Sequence, residues 1–338
     1  MIFLDAKDFF VEAIESVLAQ TYQDFELIFV DDGSTDGSTE IAKAYAQRLP
    51  HKVRYLDHEG HRNLGMSTSR NHGVRAGRGG LVSFLDADDV WLSERLERYV
   101  AAIEAFPQAG MVYGPTLYWY TWAVDHPLGD GTPEHDDFPG QLAQPTNVLI
   151  QAPAALRKFL DSDGGSLPGM GSLIIRREAF EAIGGFEAEF RGLYEDQVFL
   201  SKMTATHPVV VIPEVLDHYR QHSASCCYRA METGDYDPVD LHPARGTYLA
   251  WLERYCRETG VRDRALLRSI RRQIWPYRSA VGRFAHYLRR TLPIQVVEAL
   301  RRHLPPRVRW WLRKAKWRYY AIVIWLRKRR ATHGHGPA

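Results

Sequence analysis

The feature that most constrains this chain is the alternation in residues 1–106 between short apolar runs of strand length and amphipathic stretches of helical spacing. Phe10, Ala13, Ile14, Val17 and Leu18 recur at intervals of three and four, which predicts a helix. "FELIFV" (Phe25 to Val30) then reads as a short buried strand, and Ile41 to Ala46 as a second helix. A strand from Val53, a helix from Met66 to Ala76, a strand from Leu81 to Leu85 and a helix from Leu92 to Phe106 continue the series. Such alternation predicts an α/β sheet of mostly parallel strands.

Carboxylates follow two of these strands. Asp31 and Asp32 end the run "IFV", and "FLDADD" places Asp86, Asp88 and Asp89 after Leu81–Leu85. Open α/β sheets bind ligands at such strand ends. Neighbouring carboxylates repel one another unless a cation, hydrogen-bond donors or open water lies beside them. Asp86 and Asp88 have the spacing of oxygen ligands for Mg²⁺ or Mn²⁺; the alternative is that they cap the helix expected near Leu92. The turn "DDGSTDGS" resembles half of a calcium loop, but its twelfth position is Lys43, where a bidentate Glu is required. A loop that hydrogen-bonds a nucleotide fits it better.

Further along, "GLYEDQVF" sets Glu195 and Asp196 among aromatic residues, where a carboxylate of raised pKa can act as a general base or serve as a first-turn acid of a helix. "HYRQHSAS" gathers Arg220, His222 and hydroxyls as an anion or metal site, and Arg70 is available either to a phosphate or to solvent. "HEGH" (His58 to His61) lacks the spacing of a helical zinc pair, so an exposed turn is expected. Neither GxxxxGK[ST] nor GxGxxG follows any strand, which excludes two common ways of holding a pyrophosphate and leaves the charge to a metal.

With 338 residues and 45% hydrophobic content the chain can bury a large core. Cys226, Cys227 and Cys256 form neither a zinc motif nor a disulfide framework, so free, buried thiols in a reducing compartment are expected. The opening "MIFLDAKDFF" has no secretory pattern, and no apolar run is long enough to span a bilayer. Net charge is +2, yet Arg262 to Arg330 holds about twenty Arg and Lys against Asp263 and Glu298. From Trp119 to Pro168 the sequence is rich in Pro, Gly, Asp and Trp with little periodicity and reads as a long irregular excursion.

In order, "EAIESVLAQTYQDFELIFVDDGSTDGS", "GMSTSRNHGVRAGRGGLVSFLDADD", "GSLIIRREAFEAIGGF", "YEDQVF" and "YRQHSAS" resemble the inverting nucleotide-sugar glycosyltransferases of family 2, over about residues 2 to 225. The resemblance implies a GT-A domain, Rossmann-like with a mostly parallel central sheet, over residues 1–230. A helical, basic and aromatic extension over 231–330 and a disordered tail over 331–338 would follow. It also implies that Asp31 and Asp32 meet the base and ribose, and that Asp86 supports the ribose and the metal shell. Asp88 would ligate Mg²⁺ or Mn²⁺ with His222 near it, Arg70 and Arg220 would serve the nucleotide-sugar, and Asp196 would deprotonate the acceptor hydroxyl with Glu195 beside it.

An inverting transfer is a single in-line displacement, which needs one base on the acceptor side and charge stabilisation at the leaving diphosphate. The chain departs from the family pattern in its short opening strand, with Asp5 where an Asn is usual, so either a start further upstream or a compromised sheet is expected, the first being favoured. It also lacks the QxxRW of processive synthases, which implies one sugar per encounter.

"LPPRVRWWLRKAKWRYYAIVIWLRKRR" (Leu304 to Arg330) interleaves cations with Trp and Tyr, as suits a helix in the interface of an anionic membrane. A helical appendage packed on the catalytic domain is the alternative, and no nucleic-acid module is recognisable. The expectation is a peripheral protein on the cytoplasmic face of the cell membrane, with a nucleotide-sugar donor and a glycan or lipid-linked acceptor. The competing readings are a non-catalytic sugar- or nucleotide-binding scaffold of the same fold and a nucleotidyltransferase; the latter lacks its Gly-rich, Lys-bearing loop here.

Overall fold

The computed structural model describes residues 1–123, 136–162, 168–237 and 241–291. The elements are β1 (Ile2–Phe3), α1 (Lys7–Leu18), β2 (Leu27–Asp31), α2 (Ser38–Arg48), β3 (Val53–Asp57), α3 (Met66–Ala76), β4 (Leu81–Ser83), β5 (Val90–Trp91), α4 (Arg95–Ala105), β6 (Met111–Tyr113), β7 (Leu117–Trp119), β8 (Phe138–Pro139) and β9 (Leu149–Ile150). Then come α5 (Ala154–Asp161), β10 (Leu173–Arg176), α6 (Arg177–Ala182), α7 (Glu195–Thr206), β11 (Val209–Val211), β12 (Asp217–Arg220), α8 (Cys226–Glu232), α9 (Pro243–Glu258), α10 (Arg264–Arg278) and α11 (Ala280–Thr291).

Strands β1, β2 and β3 pair in parallel, with Phe29 opposite Tyr55 and Asp31 opposite Asp57. A parallel bridge from Ile2 to Asp86 ties this sheet to the residues after β4. Beyond it the order is β4, β10, β6, β11, β9. The parallel alternation expected from the sequence thus holds through β3 and gives way to a mixed sheet, because β10 runs antiparallel to both β4 and β6. A second mixed sheet, β5, β12, β7, β8, carries the motif that ends in Arg220.

The apolar strand runs are buried on both faces, and their side chains divide with period two. Met111, Tyr113, Leu173, Ile175, Val209 and Val211 join one cluster with Phe180, Phe199 and Met203 of α6 and α7. Val112, Ile174 and Val210 join another with Tyr99 and Ile103 of α4. Each fully buried Val, Leu, Ile or Phe of this kind contributes about 1.5–3 kcal/mol of transfer free energy. Because β1 contributes only two residues, a cavity of about 590 Å³ remains between β2 and β4, lined by Ile28, Val30, Val82 and Phe84 among others. Ser69 and Arg70 also border it, but the cleft carboxylates do not, so this cavity is a gap in the sheet.

Two expectations need correction. The stretch read as an irregular excursion contains β8, β9 and α5. Leu156, Phe159 and Leu160 of α5 bury against α7, α9 and α10, a contact invisible in the local sequence because the partners lie far along the chain, Gln273 being 113 residues from Leu160. The thiols are not all buried: Cys256 is, but Cys226 and Cys227 are exposed on α8, a short helix with no buried residue. Helices α9 and α10 share one apolar cluster with Phe190, Tyr194 and Val198, so the region from Pro243 packs on the first domain. The segment from Leu304 to Arg330 and the tail lie outside the described residues. Among the described residues no helix is long and apolar enough to cross a membrane.

Candidate active site

The turn after β2 is organised by its own carboxylates. Asp31 Oδ1 accepts the amides of Gly33 (3.2 Å) and Ser34 (2.8 Å), and Oδ2 accepts the hydroxyls of Thr39 (2.5 Å) and Tyr55 (3.2 Å). Gly33 sits at φ +92°, where an L side chain is strained, and a Cβ there would meet the Asn63 amide nitrogen at 3.0 Å. Asp32 Oδ1 accepts from Leu64 N (2.8 Å), Gly65 N (3.1 Å) and Ser69 Oγ (3.0 Å), and Oδ2 from Gly65 N (3.0 Å). Asp5 secures the same turn, its Oδ1 accepting the Thr35 amide at 2.7 Å.

Asp31 and Asp32 are therefore 0% and 4% exposed, with their oxygens committed to the protein. In this structure they shape the turn and the entry to α3. The histidine read as part of an exposed turn is also buried: His58 Nε2 lies 2.7 Å from Ser69 Oγ, behind Asp32.

Helix α3 presents Arg70 one residue after Ser69. Its Nη1 donates to Glu195 Oε1 at 2.5 Å and its Nη2 to Asp86 Oδ1 at 2.7 Å. Arg70 thus spans the carboxylates after β4 and those at the start of α7, and it is neither solvated nor turned to an open phosphate site. Burial opposes its charge, but Glu195 and Asp86 hold its pKa above the ordinary arginine value. Burial pushes the Glu195 carboxyl up to about 7, with Arg70 acting against the shift and Asp196 adding to it.

The run of carboxylates after Leu85 is resolved residue by residue. Asp86 meets Arg70, and its side chain stays 34% exposed. Asp88 Oδ2 lies 3.1 Å from His222 Nε2, with its side chain 30% exposed. Asp89 is buried and its Oδ1 accepts the Arg220 amide at 2.9 Å. Burial, then Asp88 and Asp86, push its carboxyl well above the usual range. None of the three caps α4, which begins at Arg95 with no side-chain cap, so the capping alternative fails.

Arg220 is 1% exposed. It donates from Nε to the Asp88 carbonyl (2.8 Å) and from Nη2 to Glu12 Oε2 (2.5 Å), and packs over Phe9, Trp119 and Trp122. Arg220 thus fixes the Asp88 backbone, while its buried Nη1 has no protein partner. Glu12 escaped the sequence reading because it sits on α1, 208 residues from Arg220, and no local pattern marks it.

Asp196 is half-buried in the first turn of α7, and its Oδ1 accepts the Gln197 amide at 2.7 Å. Burial raises its carboxyl, the Gln197 amide and Arg70 oppose this, and Asp86 adds to it. The turn before it is held by Tyr194, at φ +69° and stacked on Tyr248 of α9 with ring centroids 5.4 Å apart. Helix α9 is thus part of what orients the candidate base.

Asp88 and His222 are the pair suited to a divalent cation. Asp88 Oδ2 and His222 Nε2 lie 3.1 Å apart and His222 Nδ1 has no partner; a carboxylate oxygen suits Mg²⁺ or Mn²⁺, and the imidazole favours Mn²⁺ of the two. The described residues hold no group of three or more His, Cys, Asp or Glu placed to bind a metal by themselves, so the remaining ligands would come from the donor's phosphates and water.

Residues 1–165 match the family model described as Glycosyl transferase family 2. Over residues 1–165 the chain is similar to glycosyltransferase family 2. An uncharacterized glycosyltransferase of Nostoc sp. (strain PCC 7120) is 27% identical over 214 residues, 63% of this chain and 61% of that protein. The uncharacterized glycosyltransferase YibD of Escherichia coli (strain K12) is 47% identical over 85 residues, 25% of this chain and 24% of that one. The chain thus spans less than two thirds of either relative.

Among solved structures, S. aureus TarS 1-349 in complex with UDP-GlcNAc superposes with a TM-score of 0.58 at 16% identity, over 93% of this chain and 85% of that one. The mannosyltransferase PcManGT of Pyrobaculum calidifontis, in complex with GDP-Man and Mn²⁺, gives 0.53 at 15% identity over 95% and 84%. At these identities the likeness establishes the fold, which is the GT-A fold. Arg70 and the carboxylates after β4 lie within the matched segment, and they meet Glu195 of α7, Arg220 of β12 and His222, which lie beyond it.

Proposed function

We propose that this chain is a metal-dependent, inverting glycosyltransferase of family 2. It moves one sugar per encounter from a nucleotide-sugar to a hydroxyl of a glycan or lipid-linked acceptor. The observation that carries the reading is the Arg70 bridge, which draws Asp86 and Glu195 to one guanidinium and thereby sets the half-buried Asp196 beside the carboxylates after β4.

The two halves of an in-line displacement then have owners. Asp196 takes the acceptor proton, and a carboxylate of raised pKa keeps a proton more readily once it has it. Asp88 and His222 would hold Mg²⁺ or Mn²⁺, which would neutralise the leaving diphosphate, and Asp86 would complete that side. Arg70 and Glu195 position both halves without touching substrate, and Arg220 fixes Asp88 from behind.

The GT-A neighbours bind UDP-GlcNAc in one case and GDP-Man with Mn²⁺ in the other, which supports a nucleotide-sugar donor of unspecified base here. A membrane face at the C-terminal end is supported by Val281 (62% exposed) and Phe284 (60%) on α11, beside the exposed Arg283. The deciding experiment follows nucleoside diphosphate released from a panel of nucleotide-sugars, with Mn²⁺ or Mg²⁺ and with EDTA. Metal-dependent release from one donor, abolished in Asp196→Asn, is the expected result. Donor binding without release in the presence of a broad acceptor mixture would favour the scaffold of the same fold.

A further inference from the structure

Beside the candidate base, the small sheet β5, β12, β7, β8 carries an aromatic ladder that the chemistry above does not use. Tyr219 of β12 is in register with Tyr118 of β7, and Tyr118 is in register with Phe138 of β8. Residues at one register level share a face of a sheet. The ring contacts agree: Tyr118 meets Tyr219 edge-on with centroids 5.5 Å apart and stacks on Phe138 at 4.9 Å. The residues next in sequence do other work, since Trp119 packs on Arg220 and His218.

The ladder has an inner and an outer end. At the inner end Tyr219 directly precedes Arg220, whose amide donates to Asp89 at 2.9 Å and whose Nε donates to the Asp88 carbonyl at 2.8 Å, so the ladder begins beside the carboxylates after β4; burial, then Tyr120, Cys227 and Asp196, push the Tyr118 phenol above its ordinary value. Tyr219 likewise feels Cys227, Asp89 and Asp88. At the outer end Phe138 is 48% exposed. Strands lie about 4.8 Å apart, so rings on three adjacent strands cover about 10 Å, the reach of a disaccharide.

We infer that the Tyr219, Tyr118 and Phe138 ladder is the acceptor subsite, and that it takes a carbohydrate chain of at least two sugar rings rather than a lone sugar or a hydrocarbon tail. The inference rests on the proposed transferase reading, because it is the position of Asp196 that makes this face an acceptor face. Because Tyr118 and Phe138 stack on each other, it is the exposed side of Phe138 that meets the C–H face of a pyranose, and the Tyr118 phenol at the edge of the row serves the sugar's hydroxyls. A hydrocarbon tail would be served better by Leu, Ile and Val than by two tyrosines with polar tips.

The test uses the full chain and two separate readouts. The first is titration with UDP and GDP in the presence of Mn²⁺. The second is binding to an array of labelled oligosaccharides of one to four hexose units, followed by titration of those that bind. Expected are binding that strengthens at least about tenfold from one ring to two, and about a tenfold loss in Tyr118→Ala and in Phe138→Ala, with nucleotide binding unchanged.

Phe138→Trp should retain binding; because Phe138 is exposed, its variants also keep the test valid if Tyr118→Ala fails to fold. Nucleotide binding with no oligosaccharide binding, or affinity indifferent to chain length and to both substitutions, overturns the subsite and leaves the transferase reading standing. Phe138-dependent capture by vesicles containing a polyprenyl phosphate, in place of oligosaccharide binding, overturns it in favour of a lipid. Length-dependent binding to the ladder without any nucleotide binding overturns the transferase reading and the acceptor role together, and leaves a carbohydrate-binding face.

Discussion

Arg70 Nη1 donates to Glu195 Oε1 at 2.5 Å between side chains that are 2% and 5% exposed. Removing the cation leaves two carboxylates near one another in a poorly solvated place. Arg70→Met should destabilise the fold by about 3–5 kcal/mol, as expected when one partner of a buried pair is lost, read as a lower urea midpoint. Arg70→Lys should recover only part of this, since one ammonium lacks the fork that reaches Asp86 and Glu195 together. A wild-type midpoint in Arg70→Met would show that the pair does not hold the site.

Asp196→Asn keeps the shape of the side chain and removes the base. Transfer should fall by about 10²–10⁴-fold with the donor's Kd unchanged. A base must be ionised to act, and burial raises this carboxyl. The wild-type rate should therefore rise with pH along an acid limb that lies above the ordinary aspartate range. Full transfer by Asp196→Asn removes it as the base.

Asp88 and Asp89 are adjacent yet should behave oppositely. Asp88 shares its open oxygens with His222, whereas Asp89 is buried on the Arg220 amide. Asp88→Ala and His222→Ala should each weaken Mn²⁺-dependent nucleotide binding by about 10–100-fold. Asp89→Asn should leave it nearly unchanged, because this side chain is buried on the Arg220 amide and an Asn oxygen can still accept that bond. Equal losses in all three would contradict the assignment.

Asp217 supplies a pH test of stability independent of the chemistry. It is buried, its Oδ2 accepts from Thr116 Oγ1, its Oδ1 has no partner, and burial pushes its carboxyl up to about 6. Between about pH 4 and pH 6 the folded chain keeps a proton that the unfolded chain releases. Stability from this group is thus greatest at low pH and falls by about 3 kcal/mol as pH rises through that window. The stability of Asp217→Asn relative to wild type should increase by that amount from pH 4 to pH 7. Parallel curves for the two proteins would refute the assigned shift.

Val281 and Phe284 on α11 bear on the membrane proposal. Sedimentation with vesicles of anionic lipid, compared with neutral lipid, should show binding that falls with salt and falls again when both residues become Ser. Binding equal on neutral and anionic vesicles would exclude the electrostatic part.

The α/β alternation through α4 was legible because each element buries its own stripe, so the periodicity of Phe10, Ala13, Ile14 and Val17 or of Met66–Ala76 needs no distant partner to be read. Helix α5 was hidden for the opposite reason: eight residues offer too few repeats, and the residues that cover Leu156, Phe159 and Leu160 come from helices far along the chain. The same holds for Arg220 and Arg70. Sequence marks an arginine near a motif, but whether it faces a ligand or a carboxylate of the protein depends on Glu12 or Glu195, which no spacing connects to it.

By itself the sequence determined the element types in the first domain, the positions where carboxylates end strands, and the order of motifs that marks family 2; these are properties of residues and their neighbours in the chain. Only the tertiary structure decided which carboxylates remain open. Asp31, Asp32 and Asp89 are enclosed and satisfied by backbone amides, while Asp86, Asp88 and Asp196 stay accessible. The reason is physical: a carboxylate's availability is set by burial and by the donors that reach it, and both are supplied across the fold.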